Sequence, residues 1–269
     1  MDVYGIDFTS SPSPKKPITC RLCRLDGEVL HALSPSAWTG FGAFEAALAL
    51  PGPWIAGIDF PFGLPRRFVA DVGWPQAWRD YVRHAESLGK VGYEAVLNTY
   101  RTSQPAGEKE HRRVTDERVG SVSPQKLFFP PVGKMFFQGA PRLVEAGVDV
   151  PGLQEGDPAR TVVEAYPGVL ARSVTKESYK HDRARRQTAR QRDARFWILR
   201  ALTGGELAAR YGITVEADDP ELVDDPTGDS LDALLCAVQA AWAWRNRERL
   251  FASSGVEPTE GWIADPKGV

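Results

Sequence analysis

Carboxylates stand at the places in this chain where apolar segments end. Asp7 closes Val3-Tyr4-Gly5-Ile6, Asp59 closes Trp54-Ile55-Ala56-Gly57-Ile58, and Glu164 follows Thr161-Val162-Val163. Asp229 and Asp232 sit at the head of a long apolar segment that runs to Trp242. Taken singly, each acid could simply start a turn or complement a helix dipole. Gathered, they would repel one another and resist ionisation unless a cation neutralised them. Oxygen-only donors favour Mg2+ or Mn2+. Two such ions about 3.5 to 4 Å apart clamp the attacking and leaving oxygens of a phosphoryl displacement, and no Ser or His nucleophile is needed. His31, His84, His111 and His181 are scattered without metal-ligand spacing, which argues against zinc.

The elements that must position these acids are legible in outline. Gly-Ile-Asp-Phe occurs at residues 5–8 and again at 57–60, each time ending a short apolar run and preceding a turn-rich loop, as buried strands do. Residues 18–25 and 28–33 flank Asp26-Gly27, a hairpin signal. Phe41, Phe44, Ala47 and Leu48 recur at helical spacing before Pro51-Gly52-Pro53. The order is β-β-β-α-β, and the helix permits a right-handed crossover that lays the fourth strand parallel beside the first.

Helices are expected around Trp74 to Leu88 and Tyr93 to Tyr100, then a long functional loop from Arg101 to Pro131. Phe128, Phe129, Phe136 and Phe137 read as core more than as a stacking platform. A further strand ends at Tyr166, and Asp225-Pro226 looks like the cap of the last long helix, with Leu231, Leu235, Val238 and Trp242 as its packing stripe. Asp229 and Asp232, one turn apart, face the same side of it.

Composition narrows the partners. The 269 residues are 42% hydrophobic and 25% charged with a net charge of −2, so a polyanion would have to be held by local basic segments. Such a segment runs from Lys180 to Arg195; a solvated helix face and a phosphate-contacting edge are both open readings. No apolar run is long enough to span a membrane and the N-terminus has no signal-peptide pattern, so a cytoplasmic location is expected. Three cysteines do not make a disulfide framework, and Cys20 and Cys23 fall on opposite faces of a strand.

The strand order, and Asp229-Ser230-Leu231-Asp232-Ala233-Leu234, resemble the ribonuclease H-like arrangement and the final helix of its Holliday-junction resolvases. More closely, Gly5-Ile6-Asp7, Gly57-Ile58-Asp59 with Pro61, Arg113 with Asp116, Glu164-Ala165-Tyr166-Pro167, Asp229 to Leu234 and Glu260-Gly261-Trp262-Ile263 together resemble the family known as domain of unknown function 429, nucleases by inference from that fold. The resemblance implies an α/β fold with a mixed five-stranded sheet (β-β-β-α-β-α-β-α) flanked by helices, in one domain over 1–269 with a helical and loop insertion at about 66–160. It implies that Asp7, Asp59 and Asp232 carry metal, with Asp229 and Glu164 as further ligands or groups that orient them, in a two-ion nuclease. Asp59 departs from the glutamate usual at that place in the resolvases.

Arg112, Arg113, Lys180, Arg183, Arg186 and Arg190 would then position a DNA or RNA substrate. Glu164 has a structural alternative, an ion pair with an arginine such as Arg113. Residues 5–11 also resemble the first phosphate loop of sugar kinase and hexokinase-like phosphotransferases, and a non-catalytic nucleic-acid-binding module is a third reading.

Overall fold

The computed structural model describes residues 1–181, 186–251 and 258–268. Strands β1 (Asp2–Asp7), β2 (Ile18–Asp26) and β3 (Val29–Trp38) form an antiparallel meander, with Gly27 at φ +56° in the tight turn that Asp26-Gly27 announces. Helix α1 (Phe41–Leu48) crosses to β4 (Trp54–Ile58), which lies parallel beside β1. Helices α2 (Arg66–Asp71), α3 (Trp78–Ser87), α4 (Gly89–Ser103), α5 (Val114–Val119) and α6 (Val132–Ala146) follow, then β5 (Val148–Asp149) and β6 (Asp157–Glu164). The chain continues through α7 (Pro167–Val174), α8 (Ala189–Thr203), α9 (Ala208–Tyr211), β7 (Thr214–Glu216), α10 (Glu221–Asp224), α11 (Asp229–Arg245) and α12 (Arg247–Leu250).

The result is a mixed seven-stranded sheet in the order β5-β6-β4-β1-β2-β3-β7. It has two strands more than the five expected. Strands β5 and β7 are only two and three residues long, too short to show a period-two pattern in sequence. As edge strands they leave little backbone open to further pairing.

Alternation along the strands divides the core into two layers. Ile6, Phe8, Ile58 and Phe60 pack on the face covered by α1, α3, α4 and α6, whereas Val3, Cys23, Ile55 and Val163 pack on the face covered by α7, α8 and α11. The two cysteines of the C-x-x-C do fall on opposite faces, and burial pushes both thiols up to about 12.

Other expectations are corrected. Residues 101–131 are not one long loop: α4 runs through Ser103, α5 begins at Val114, and Arg113, Thr115, Asp116 and Val119 are buried. Of the four phenylalanines read as core, Phe136 is buried and Phe137 packs against the core, but Phe128 and Phe129 are exposed. Helix α11 starts at Asp229 behind Gly228, three residues later than Pro226 suggests, and Asp225 caps it from outside by accepting from the Ser230 N–H at 3.0 Å. The stripe on α11 is in fact buried all round, because the helix lies between the sheet and α7 and α10. Among the described residues no helix is long and apolar enough to cross a membrane.

Candidate active site at the strand ends

The parallel pairing of β1 with β4 sets Gly5 beside Gly57 and Ile6 beside Ile58. The Asp59 N–H donates to the Ile6 carbonyl at 2.9 Å, so the ladder continues one step and Asp7 and Asp59 leave adjacent strand ends side by side. Because side chains alternate, each Gly shares a face with the Asp two residues on. A Cβ at Gly5 would collide with the Ala233 carbonyl, and one at Gly57 with that of Cys236. The two missing side chains let α11 lie directly on the strands, with its first turn over the acids. Gly-Ile-Asp is thus one device: the Gly admits the helix and the Asp meets its N-terminal end.

Asp7, Asp59, Asp229 and Lys180 line a single cavity of about 590 Å³ at the carboxyl ends of the parallel strands, together with Thr9, Ser10 and Lys16, and Glu164, Arg113 and Asp116 line it too. Burial holds the Asp7 carboxyl well above the usual carboxylate range, and the charges of Asp229, Asp232 and Asp59 add to it while Lys180 opposes. Burial likewise pushes Asp59 up to about 7, with Lys180 opposing and Asp232 and Glu164 adding. Asp229 is raised for the same first reason, against Lys180 and Lys16.

Asp232 is fully buried and committed: it accepts from the Tyr179 hydroxyl at 2.6 Å and from the Lys180 ammonium. Burial alone would lower the Lys180 ammonium, but Asp232, Tyr179 and Asp7 hold it well above its ordinary range. Lys180 is therefore a resident cation inside the acid cluster, and not a contact on an outer basic edge. Arg195 fixes the segment that carries it, donating to the Tyr179 carbonyl at 2.6 Å and the Val223 carbonyl at 2.7 Å.

Glu164 stands in register with Ile58 and so shares the opposite face of the sheet from Asp59. It accepts from Arg113 Nη1 at 2.7 Å and Nη2 at 2.5 Å, and from the Phe62 N–H at 2.8 Å. Arg113 Nε and Nη2 also donate to Asp116 at 2.9 and 2.8 Å, and Nη1 donates to the Glu260 carbonyl at 3.2 Å. All of the guanidinium's N–H groups are used, so Arg113 has none left for a phosphate.

The remaining basic residues separate. Arg112, Arg186 and Arg190 are exposed and do not line the cavity, and Arg183 lies outside the described residues. His31 meets Glu216 at 3.0 Å and His111 meets the Tyr100 hydroxyl at 2.7 Å, both away from the acids. Sequence reasoning missed the place of Lys180, and it missed Tyr179 and Lys16. Neither Tyr179-Lys180 nor Lys15-Lys16 carries a periodic or spacing signal that would mark it.

The donor chemistry at Asp7, Asp59 and Asp229 fits a hard divalent cation: oxygen only, half-buried, and raised in pKa. Among the described residues no group of three or more His, Cys, Asp or Glu is drawn together as a ready-made metal cage.

A family model described as "Protein of unknown function (DUF429)" matches residues 5–254. No curated protein and no solved structure matches the chain.

Proposed function

The chain belongs to the DUF429 family, and we propose that it is a metal-dependent hydrolase of nucleic-acid phosphodiester bonds built on a ribonuclease H-like sheet. The fold reading is supported by the five inner strands, β6-β4-β1-β2-β3, in which only β2 runs against the others. The activity reading is carried by one observation: Asp7 and Asp59 emerge side by side on the cavity that Asp229 also lines, where burial raises the pKa of each carboxyl.

Asp7 and Asp59, with Asp229 nearby, would hold one Mg2+ or Mn2+. When bound, such an ion polarises a phosphoryl oxygen and makes its bound water a nucleophile near neutral pH. One ion is preferred over the two expected from the sequence, because Asp232 is occupied by Tyr179 and Lys180. Lys180, fixed in advance on Asp232 and lining the same cavity, then supplies the second positive charge. The Thr9 and Ser10 hydroxyls and the Lys16 ammonium, on the same cavity, orient the phosphate oxygens.

A phosphotransferase of the sugar kinase type is the second reading, favoured by the position of Thr9 and Ser10 on the cavity, two and three residues after Asp7. Incubation of the purified protein with Mn2+ and single-stranded, duplex and branched DNA or RNA tests the first. Cleavage that EDTA stops and that Asp7→Asn removes is the expected result. Intact substrates throughout, or an Asp7→Asn protein that cuts like wild type, would sink it. A magnesium-dependent melting shift with ATP and none with oligonucleotide would favour the second.

A further inference from the structure

The cavity is lined by chemically different sets of residues. Asp7, Asp59, Asp229, Lys180, Lys16, Thr9 and Ser10 form one set and the self-paired Arg113, Asp116 and Glu164 another, while the segment before and into α6 contributes the apolar Phe129, Pro130, Pro131, Val132 and Met135. Phe129 is 91% exposed, although it belongs to the segment just before α6 and the core of that helix lies close by. Exposure on this scale is unfavourable for a phenylalanine that packs against nothing. Its backbone is also the one non-glycine among the described residues with positive φ, at +46°. A bulky residue held in the left-handed region is a genuine outlier, and such outliers cluster at ligand clamps.

Building on the nucleic-acid reading above, we infer that Phe129 is the stacking platform for a single unpaired base of the substrate, so that the enzyme takes single-stranded or locally unpaired nucleic acid. A nucleotide has two halves that suit this cavity: a phosphate for the ion-binding and cationic set, and a flat apolar ring for the phenylalanine. The volume of about 590 Å³ lies within the range of pockets that hold one small ligand. A base still paired inside a duplex offers no free face to Phe129, so the nucleotide must be unpaired or extruded. Stacking on an aromatic ring tolerates any base, so the platform selects strandedness and not sequence.

Phe128 provides the internal control. It is also exposed, but its ring lies under the Lys134 ammonium at 4.8 Å and it does not line the cavity.

The test is fluorescence anisotropy with a labelled oligothymidylate and a labelled abasic-spacer strand of the same length, in Ca2+. Wild type is expected to bind the strand with bases about tenfold tighter or more, the scale of one stacked base. Phe129→Ala should abolish that preference while leaving the abasic affinity unchanged, and Phe129→Trp and Phe128→Ala should keep it. An exposed side chain makes Phe129→Ala a folded protein, which an unchanged melting temperature checks. Equal wild-type affinity for the two strands, no binding of either, or a preference that survives Phe129→Ala would overturn the inference. Base preference without Mn2+-dependent cleavage would keep the platform and sink the nuclease, and cleavage without base preference would do the reverse.

Discussion

Two clusters of charge line the same cavity at the carboxyl ends of neighbouring strands, the acids of β1 and β4 on one face of the sheet and Glu164 of β6 on the other, and they are built to different rules. At the Arg113 cluster one guanidinium meets Glu164 and Asp116, every N–H has an acceptor, and the acceptors are further satisfied by the Phe62 N–H and the Ser121 hydroxyl. Glu260 extends it, accepting from the Arg66 and Val114 N–H groups, so the segment 258–268 is fastened to α2 and α5. At the other cluster Asp7, Asp59, Asp229 and Asp232 share a lysine, and three of the four carboxyls have pKa values raised by burial. The first cluster is closed and holds the fold together. The second, on the cavity that both clusters line, sets four carboxyls against one lysine, which is the arrangement that receives a cation and a phosphate.

The largest effect that separates them is on stability. Arg113→Met leaves Glu164 and Asp116 buried without their counter-ion and should cost about 3–5 kcal/mol in urea unfolding, a loss that Mg2+ does not repair. Asp59→Asn should act with the opposite sign. It removes one repelling charge and so stabilises the metal-free protein by about 1–3 kcal/mol at pH 8, while cleavage falls about a hundredfold or more. If both substitutions destabilised alike, the two clusters would be structural equivalents and the contrast would fail.

A pH series sharpens the same point. Asp59 ordinarily titrates near 3.8 but at about 7 when folded, so the folded chain holds the proton longer. The stability linked to that proton is fully present below 3.8 and is lost as pH rises through about 7. In EDTA the melting temperature should fall by several degrees between pH 5 and pH 8. Added Mg2+ should restore more of it at pH 8 than at pH 5, since the ion replaces the protons. The smallest effect belongs to Arg186→Ala and Arg190→Ala, exposed and off the cavity. Each should change stability by less than about 0.5 kcal/mol, and salt should abolish whatever they add to polyanion binding.

The half of the site on β1 and β4 was legible because Gly-Ile-Asp states two things at once: the Gly admits a backbone, and parity puts the Asp on the same face. Glu164 was legible only as an acid near a strand end. Its face follows from its register with Ile58, which no local pattern reveals. Lys180 was misplaced because Tyr179-Lys180 lies in an irregular segment, and its partner Asp232 is reached only through the tertiary fold. The basic run around it suggested a uniform edge, yet Arg195 is buried on carbonyls, Arg192 pairs with Asp224 and Arg186 is exposed. Phe128 and Phe129 resemble core residues by type alone, and only the fold shows which phenylalanines have somewhere to pack.

Crystals soaked in Mn2+ and examined by anomalous scattering ask the central question directly. One ion touching Asp7 and Asp59, with Lys180 still on Asp232, is the expected result. Carboxylates that remain without an ion at saturating Mn2+, or an ion bound elsewhere while Asp7 and Asp59 stay protonated at pH 8, would contradict a metal-dependent site at these strand ends.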